Sequence, residues 1–236
     1  ENMGHPADLS ECSCSKERAV ALGVAVGADG ITAVVADGRG RVISCLERDL
    51  PEGCHSNGHR LAEEVAGVIA SLRTSAADEL AGEVAEAVKT SALAVGVCVP
   101  GVVDEEGRVC RSGALGLQDV PLASLVSQSL AGTAAESTEV ALYQDARCGA
   151  WAESRWGAAG ENCLFLSVAE HISCAVLLNG APVLGGGWAG QIGRVLVPDP
   201  DWSGEKACLE DVASVDAMVR RYTAGIVDDS TDSIGS

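Results

Sequence analysis

An apolar run meets an abrupt Pro-Gly stop in the stretch Gly96-Val97-Cys98-Val99-Pro100-Gly101-Val102-Val103-Asp104. A short run rich in β-branched residues predicts a buried strand over residues 93–99, and Pro-Gly ends it. Further towards the N-terminus, Gly-containing turns separate three short apolar runs, which predicts an antiparallel meander. These runs are residues 19–26, 31–36 and 41–46. A helical pattern follows them, opening at Asn57 and continuing to residue 88.

The C-terminal side of this stretch alternates helical and strand patterns. We expect helices over residues 121–130, 145–156 and 207–222, and strands over 139–143, 163–168 and 172–178. A Gly-rich loop covers residues 185–193. This order of elements is typical of an α/β protein with a mixed sheet.

Composition limits the classes of partner. The chain has 236 residues, 47 % of them apolar, which is enough for a sizeable core. Its net charge, 16 − 34 = −18, repels phosphate backbones and anionic lipid surfaces, so we expect this chain alone to bind neither nucleic acid nor membrane. The sequence has no apolar run near the ~20 residues of a membrane span and no secretory signal pattern. We therefore expect a cytoplasmic protein.

The ten cysteines follow no repeated CxxC spacing, which favours reduced, buried thiols. Cys12 and Cys14 lie in a polar N-terminal segment and could instead form a reactive or metal-binding pair. Cys54, His55 and His59 could gather a metal ion, or could simply form a solvated turn and helix start.

Three segments, in order along the chain, resemble one protein family. The first runs from Leu22-Gly23-Val24-Ala25-Val26-Gly27 to Asp37-Gly38-Arg39-Gly40-Arg41-Val42-Ile43. The second is residues 96–104 with Asp119-Val120-Pro121-Leu122, similar to a G-x-G-x-P-G-x-V-D signature and a D-V-P-L helix start. The third runs from Gln144-Asp145-Ala146 through Gly190-Gln191-Ile192-Gly193 to Cys208-Leu209-Glu210. Together they resemble the ROK proteins, which comprise sugar kinases and sugar-responsive repressors.

The resemblance implies an actin-like ATPase domain fold of the ribonuclease H-like type, with mixed sheets and flanking helices. We expect a disordered leader over residues 1–18, an N-terminal lobe over 19–135, a partial C-terminal lobe over 136–225 and a polar tail over 226–236. The second lobe is expected to be incomplete, since no Gly-rich turn for the adenosine half of a nucleotide site follows Glu210. The leader is too short for a winged helix-turn-helix.

The resemblance also assigns candidate sugar-binding residues. Asp145 matches the catalytic base of the kinases and a sugar-binding position, and Glu210 matches another sugar position. Gln191 and Gln144 replace a Glu and an Asn of the family pattern. From the residues alone, Asp145 could equally cap a helix, and Glu210 could be an exposed first-turn acid.

The phosphate-binding turns of the family are altered here. Ala25 replaces the first-motif Asp, Asp29 stands where a hydroxyl would meet phosphate, and Ala169-Glu170-His171 replaces a G-T-G turn. Phosphate cradles need Gly-lined turns with free amides, and added carboxylates repel phosphate. We therefore expect no bound cofactor; ATP and Mg²⁺ would be needed only if the chain were an active kinase.

The zinc site of the family also looks degenerate. Arg194 stands at the His position, while Asp201, Ser203 and Cys208 stand at the three Cys positions. One thiol with a serine and an arginine does not make a tetrahedral zinc site, so zinc is not expected.

These features predict a non-catalytic ROK-like sugar-sensing or regulatory domain, either a pseudokinase or the effector domain of a repressor. The alternative is an ATP-dependent kinase of glucose or an N-acetylhexosamine, with Asp145 as its base. The expected partner is a small-molecule sugar, and a homodimer is compatible with either function.

Overall fold

The computed structural model describes residues 20–79, 88, 94–133, 138–199 and 205–232. In chain order its strands are β1 (Val20–Val26), β2 (Gly30–Asp37), β3 (Val42–Asp49), β4 (Val95–Val99), β5 (Val102–Val103), β6 (Val109–Ser112), β7 (Leu117–Val120), β8 (Val140–Gln144), β9 (Cys163–Val168), β10 (Ile172–Leu178), β11 (Ala181–Pro182), β12 (Leu196–Pro198) and β13 (Lys206–Cys208). Its helices are α1 (Gly58–Glu79), α2 (Leu122–Leu130), α3 (Asp145–Trp156), α4 (Leu209–Ala213) and α5 (Val215–Asp232). None of these helices is both long enough and apolar enough to cross a membrane.

A five-stranded mixed sheet forms the centre of the N-terminal part, with strand order β3-β2-β1-β4-β8. The meander β1-β2-β3 is antiparallel, while β4 pairs in parallel with β1 and with β8. Parallel pairing needs crossover connections, and the segments that contain α1 and α2 supply them. The predicted α/β fold with a mixed sheet is confirmed.

Helix α1 covers this sheet because its apolar residues recur at helical spacing. Leu61, Val65, Ile69 and Leu72 are fully buried against the sheet and α2. The Asn57 side chain accepts a hydrogen bond from the backbone N–H of Arg60 at 3.1 Å, which caps the first turn as the sequence predicted. The predicted continuation towards residue 88 lies almost wholly outside the described residues.

A second, three-stranded sheet has the order β11-β10-β9. Helix α3 packs on it through a small apolar cluster that includes Ala146, Ala150 and Leu177. The other face of β9 is open, since Leu164, Leu166 and Val168 are 45–65 % exposed. This second sheet places α3, whose first residue is Asp145, between the two sheets.

Two features differ from the sequence-based expectations. The sheets β5-β6-β7 and β12-β13 were not predicted, because strands of two to four residues are too short to show a period. The helix expected over 207–222 is instead β13, α4 and α5, broken at Ser214, whose hydroxyl caps Ala217 at 3.2 Å and starts the new helix. Helix α5 continues to Asp232, so residues 226–232 are helical where a polar tail was expected.

Candidate functional site

A cavity of about 140 Å³ opens where the carboxyl ends of β4 and β8 meet the start of β10. We call it the strand-end cavity. Three of the four predicted sugar-binding residues line it, namely Asp145, Gln191 and Glu210. Strand ends at such a crossover are where α/β sheets commonly place ligands. The structure therefore brings together side chains that are up to 65 positions apart in the sequence, from Asp145 to Glu210.

Asp145 is the first residue of α3 and directly follows β8. Its Oδ1 accepts a hydrogen bond from the Ala146 backbone N–H at 2.7 Å, so one oxygen serves the helix start. Burial raises the pKa of the Asp145 carboxyl above its ordinary value, and the Ala146 amide and nearby His171 oppose that rise. Asp145 is therefore not the helix cap, a position that Gln144 occupies, but a first-turn acid whose carboxylate lines the strand-end cavity.

Glu210 lies in the first turn of α4 and is held at both oxygens. Its Oε1 is 3.1 Å from Nδ1 of His171, and its Oε2 accepts the Ile172 backbone N–H at 2.9 Å. The carboxylate therefore joins α4 to the start of β10. Each oxygen keeps a further lone pair, so Glu210 can still accept a bond from a hydroxyl in the cavity.

Gln191 fixes the other side of the cavity. Its side-chain Nε2 donates a hydrogen bond to the carbonyl of Gly101 at 3.0 Å. Gly101 has φ of 123°, and a Cβ there would meet the carbonyl oxygen of Arg111. Glycine is needed at this position because the chain turns sharply between β4 and β5 while packing against β6.

Gln144 is not brought into the same group. It is fully buried at the end of β8 and does not line the strand-end cavity. Its side-chain oxygen and nitrogen have no hydrogen-bond partner within the part of the chain that the structure describes. Its predicted contact with sugar therefore has no support from the cavity geometry and stays a prediction.

Among the cavity residues that were not predicted as ligand contacts, four have large basic or aromatic side chains: Arg111, His171, Trp188 and Arg194. The sequence offered partial signals, because His171 belongs to the altered phosphate turn and Arg194 to the altered metal motif. Trp188 follows the Gly185–Gly187 turn and is 56 % exposed, so its ring forms part of the cavity wall and remains accessible. Arg111 lies on β6, a strand that the sequence did not reveal.

The two turns that would cradle phosphates use backbone groups internally. The Gly27 N–H donates to the carbonyl of Gly30 at 2.8 Å, and the Ala169 N–H donates to that of His171 at 3.1 Å. The Ala169 carbonyl also accepts the Val215 N–H, which joins that turn to α5. The Gly27 and Ala169 amides, which could otherwise face phosphate, thus already donate hydrogen bonds within their own turns. Asp29 and Glu170 add negative charge to the same turns. These residues do not fit the triphosphate of MgATP.

Of the four family metal positions, the described part of the chain contains Arg194 and Cys208, which lie near each other because Cys208 pairs with Leu196 and the Leu209 N–H donates to the Val195 carbonyl. Arg194 lines the strand-end cavity and Cys208 directly precedes α4, while Asp201 and Ser203 lie outside the described residues. Over the described ranges, no three His, Cys, Asp or Glu side chains lie close enough to hold a metal ion, and that includes Cys54, His55 and His59. Cys12 and Cys14 are also outside those ranges.

The mixed sheet, the strand-end cavity and α3 define the class: this is the actin-like ATPase fold of ROK sugar kinases and their repressor relatives. The chain belongs to the ROK family, whose sequence model matches residues 21–233.

Relatives of both kinds are similar to this chain. The xylose repressor of Bacillus subtilis (strain 168) is 23 % identical over 213 residues, which cover 87 % of this chain and 50 % of the repressor. The structure of a ROK family transcriptional regulator, a homolog of the E. coli MLC protein, matches with a TM-score of 0.70 and 20 % identity, over 89 % of this chain and 50 % of that one. The ROK hexokinase of Thermus thermophilus matches with a TM-score of 0.63 and 26 % identity, over 88 % and 64 %.

A glucokinase adds a liganded example. The ROK family glucokinase of Streptomyces griseus, solved with glucose and AMPPNP, matches with a TM-score of 0.64 and 24 % identity, over 85 % of this chain and 59 % of that one. The chain spans about half the length of the curated repressors that it matches.

Proposed function

We propose that this chain is a sugar-responsive regulatory domain that binds its ligand in the strand-end cavity and does not transfer phosphate. The observation that carries the proposal is the convergence of Asp145, Gln191 and Glu210 on one small cavity. Carboxylate and amide groups are suited to sugar hydroxyls because each offers acceptors, and the amide also offers donors. Trp188 gives the same cavity an apolar wall for the faces of a sugar ring.

The phosphate side supports the absence of catalysis. Phosphoryl transfer depends on amides and metal that hold the phosphates in line. Here the Gly27 and Ala169 amides donate within their own turns, and His171 pairs with Glu210 at the edge of the cavity. The turn at residues 169–171 therefore contributes His171 to the strand-end cavity and does not present a set of free amides to phosphate.

An ATP-dependent sugar kinase is the competing function, and the placement of Asp145 favours it. The carboxylate stands at a strand end, lines the cavity and has one oxygen without an intramolecular partner among the described residues. Such a group could take a proton from a sugar hydroxyl. The two functions make opposite predictions for turnover and the same prediction for binding.

Calorimetry and an ADP-release assay separate the two functions. We expect glucose, N-acetylglucosamine or N-acetylmannosamine to bind the purified chain, and Asp145→Ala to weaken binding by about ten- to a hundredfold, the loss of a charged acceptor. We expect no ADP release above background with any of these sugars. Turnover in the ordinary enzyme range of roughly 1–10³ s⁻¹, abolished by Asp145→Asn, would establish the kinase instead.

Each failure has a distinct meaning. If no sugar binds at millimolar concentration, the sensor function is wrong. If a sugar binds with unchanged affinity in Asp145→Ala and Glu210→Ala, the ligand lies outside the strand-end cavity. Asp216→Ala, an acidic residue in the first turn of α5 that does not line the cavity, is the matched control for loss of a helix-start carboxylate.

A further inference from the structure

Two arginines stand on the strand-end cavity in a chain that is otherwise strongly acidic. Arg111 and Arg194 are exposed and line the cavity, although the whole chain carries a net charge of −18. Neither guanidinium has an ion pair or hydrogen-bond partner among the residues that the structure describes. By contrast, Arg41 and Arg108 pair with Asp37 and Asp119. The cavity therefore holds cationic groups whose charge nothing in the described fold uses.

Both arginines are attached to fixed backbone. Arg111 pairs with Val102 and Gln118 in the β5-β6-β7 sheet, and its carbonyl packs against Gly101. Arg194 ends the short turn Ile192–Arg194, where a Cβ on Gly193 would meet the Ile172 carbonyl at 2.5 Å and the Glu210 carboxylate at 2.9 Å. Because these backbones have little room to shift, both arginine side chains start from fixed positions at the cavity, and their unpaired guanidinium groups can turn towards a ligand.

Neither of the two acidic residues of the cavity forms an ion pair with these arginines. Glu210 is already bonded to His171 and to the Ile172 amide. Burial raises the pKa of the Asp145 carboxyl, which disfavours its charged form. The formal charge of the lining is balanced, with two arginines against two carboxylates, but the arginines are exposed whereas both carboxylates are half-buried.

We infer that the ligand of this cavity is an anionic sugar, a polyol that carries a carboxylate or a phosphate, held at its charged group by Arg194 and Arg111. This inference rests on the proposed sugar-binding function. The hydroxyls face Asp145 and Gln191, and the anionic group faces the guanidiniums. Arginine suits both carboxylates and phosphates because its planar fork donates two parallel hydrogen bonds.

Calorimetry with four probes tests the inference: glucose, glucuronate, glucose 6-phosphate and inorganic phosphate. We expect glucuronate or glucose 6-phosphate to bind at least about tenfold more tightly than glucose, equivalent to ~1.4 kcal/mol. The preferred one identifies the anionic group. Arg194→Gln and Arg111→Gln should each remove most of that preference, because each should weaken binding of the anionic sugar more than binding of glucose. The preference should also shrink as salt is raised, because the arginines are exposed.

Arg155→Gln is the matched control, since Arg155 is exposed in the last turn of α3 and does not line the cavity. It changes the net charge equally and should leave every affinity unchanged. If Arg155→Gln and Arg194→Gln had equal effects, the preference for anionic sugars would come from the net charge of the chain and not from contacts in the cavity, which would overturn the inference. Inorganic phosphate binding as tightly as glucose 6-phosphate would also overturn it. Glucose binding as well as the anionic sugars would overturn the inference but leave the proposed function intact, whereas no binding by any sugar would overturn both.

Discussion

The Asp145 side chain contributes both to the fold and to the candidate site. One oxygen bonds the Ala146 amide at the start of α3, and the carboxylate also lines the strand-end cavity. Burial disfavours the charged form of Asp145 and raises its pKa. Functional sites often contain ionisable groups whose pKa is shifted in this way. We therefore expect a neutral group of the same shape at this position to give a more stable fold.

The first prediction concerns Asp145→Asn and pH. Because burial raises the folded-state pKa of Asp145, the ionised residue destabilises the fold above that pKa, and the penalty disappears as the group is protonated. Asn keeps the acceptor for Ala146 without the charge. We expect this variant to melt higher at pH 7, by about 2–4 °C for each ~1 kcal/mol of penalty removed in a chain of this size, and the difference to shrink towards pH ~4.

Asp37→Asn is the control with the opposite sign. The backbone amides of Arg41 and Arg39 and the side chain of Arg41 lower the Asp37 pKa, so its ionised form stabilises the fold. This variant should melt lower at pH 7 and approach the parent protein as the pH falls. A thermal melt series from pH 7 to about 2 measures both variants, because the Asp37 contribution is lost only below the ordinary carboxyl pKa of 3.8. A pH-independent gap for Asp145→Asn would contradict the first prediction.

The second prediction concerns Gln144→Met. A buried amide without partners costs about 1–3 kcal/mol, and Met has a similar shape without that cost. We expect the variant to melt higher and to bind sugar with unchanged affinity, because Gln144 does not line the strand-end cavity. A large loss of sugar affinity in calorimetry would instead support the contact with sugar that the family resemblance implies.

At the scale of elements, the Gly-rich loop between β11 and β12 sets the shape of the cavity. Gly190 has φ of 88°. Its carbonyl contacts β10, where it accepts a hydrogen bond from the Cys174 N–H at 2.8 Å. A Cβ on Gly190 would collide with the Cys174 carbonyl oxygen. The next residue is Gln191, so this close approach also aims a cavity side chain.

The third prediction compares Gly190→Ala with Gly186→Ala. Both glycines have positive φ, but a Cβ on Gly186 has no atom within 4 Å among the described residues. Gly186→Ala should cost only the backbone strain, roughly 1–2 kcal/mol. Gly190→Ala should add an overpacking cost of about 1–3 kcal/mol and weaken sugar binding. Urea unfolding and calorimetry measure both; equal losses of stability would show that β10 can move aside.

The sequence predicted elements wherever a pattern was long enough to show its period. The bounds of α3, β9 and β10 match the expected ones, and the meander β1-β2-β3 agrees within a few residues. The short strands β5 to β7 carry too few residues for any pattern, and their pairing is set by contacts distant in sequence. Arg111 was missed for that reason, since its place at the cavity depends on that small sheet.

Whole-molecule features were predictable only through the family resemblance. Composition gave the charge and a core of sufficient size, but no residue pattern shows that Gln191 lies beside Gly101, 90 positions away. Burial of Arg147 is another long-range result: its Nη2 donates to the Gly187 carbonyl at 3.0 Å and its Nη1 to the Val103 carbonyl at 3.4 Å. Such contacts follow from how the two sheets meet, which a single sequence does not encode locally.

The hydrogen bond between Gln191 and Gly101 makes the cavity a junction between two parts of the molecule. It links the loop that follows the β11-β10-β9 sheet to the strand end of the five-stranded sheet. A ligand that takes the Gln191 amide for itself exchanges this internal bond for an external one and removes one link between the two sheets. If that link favours one arrangement of the sheets, a partner that prefers the same arrangement shares a coupling free energy with the ligand, and by reciprocity each changes the affinity for the other by the same factor.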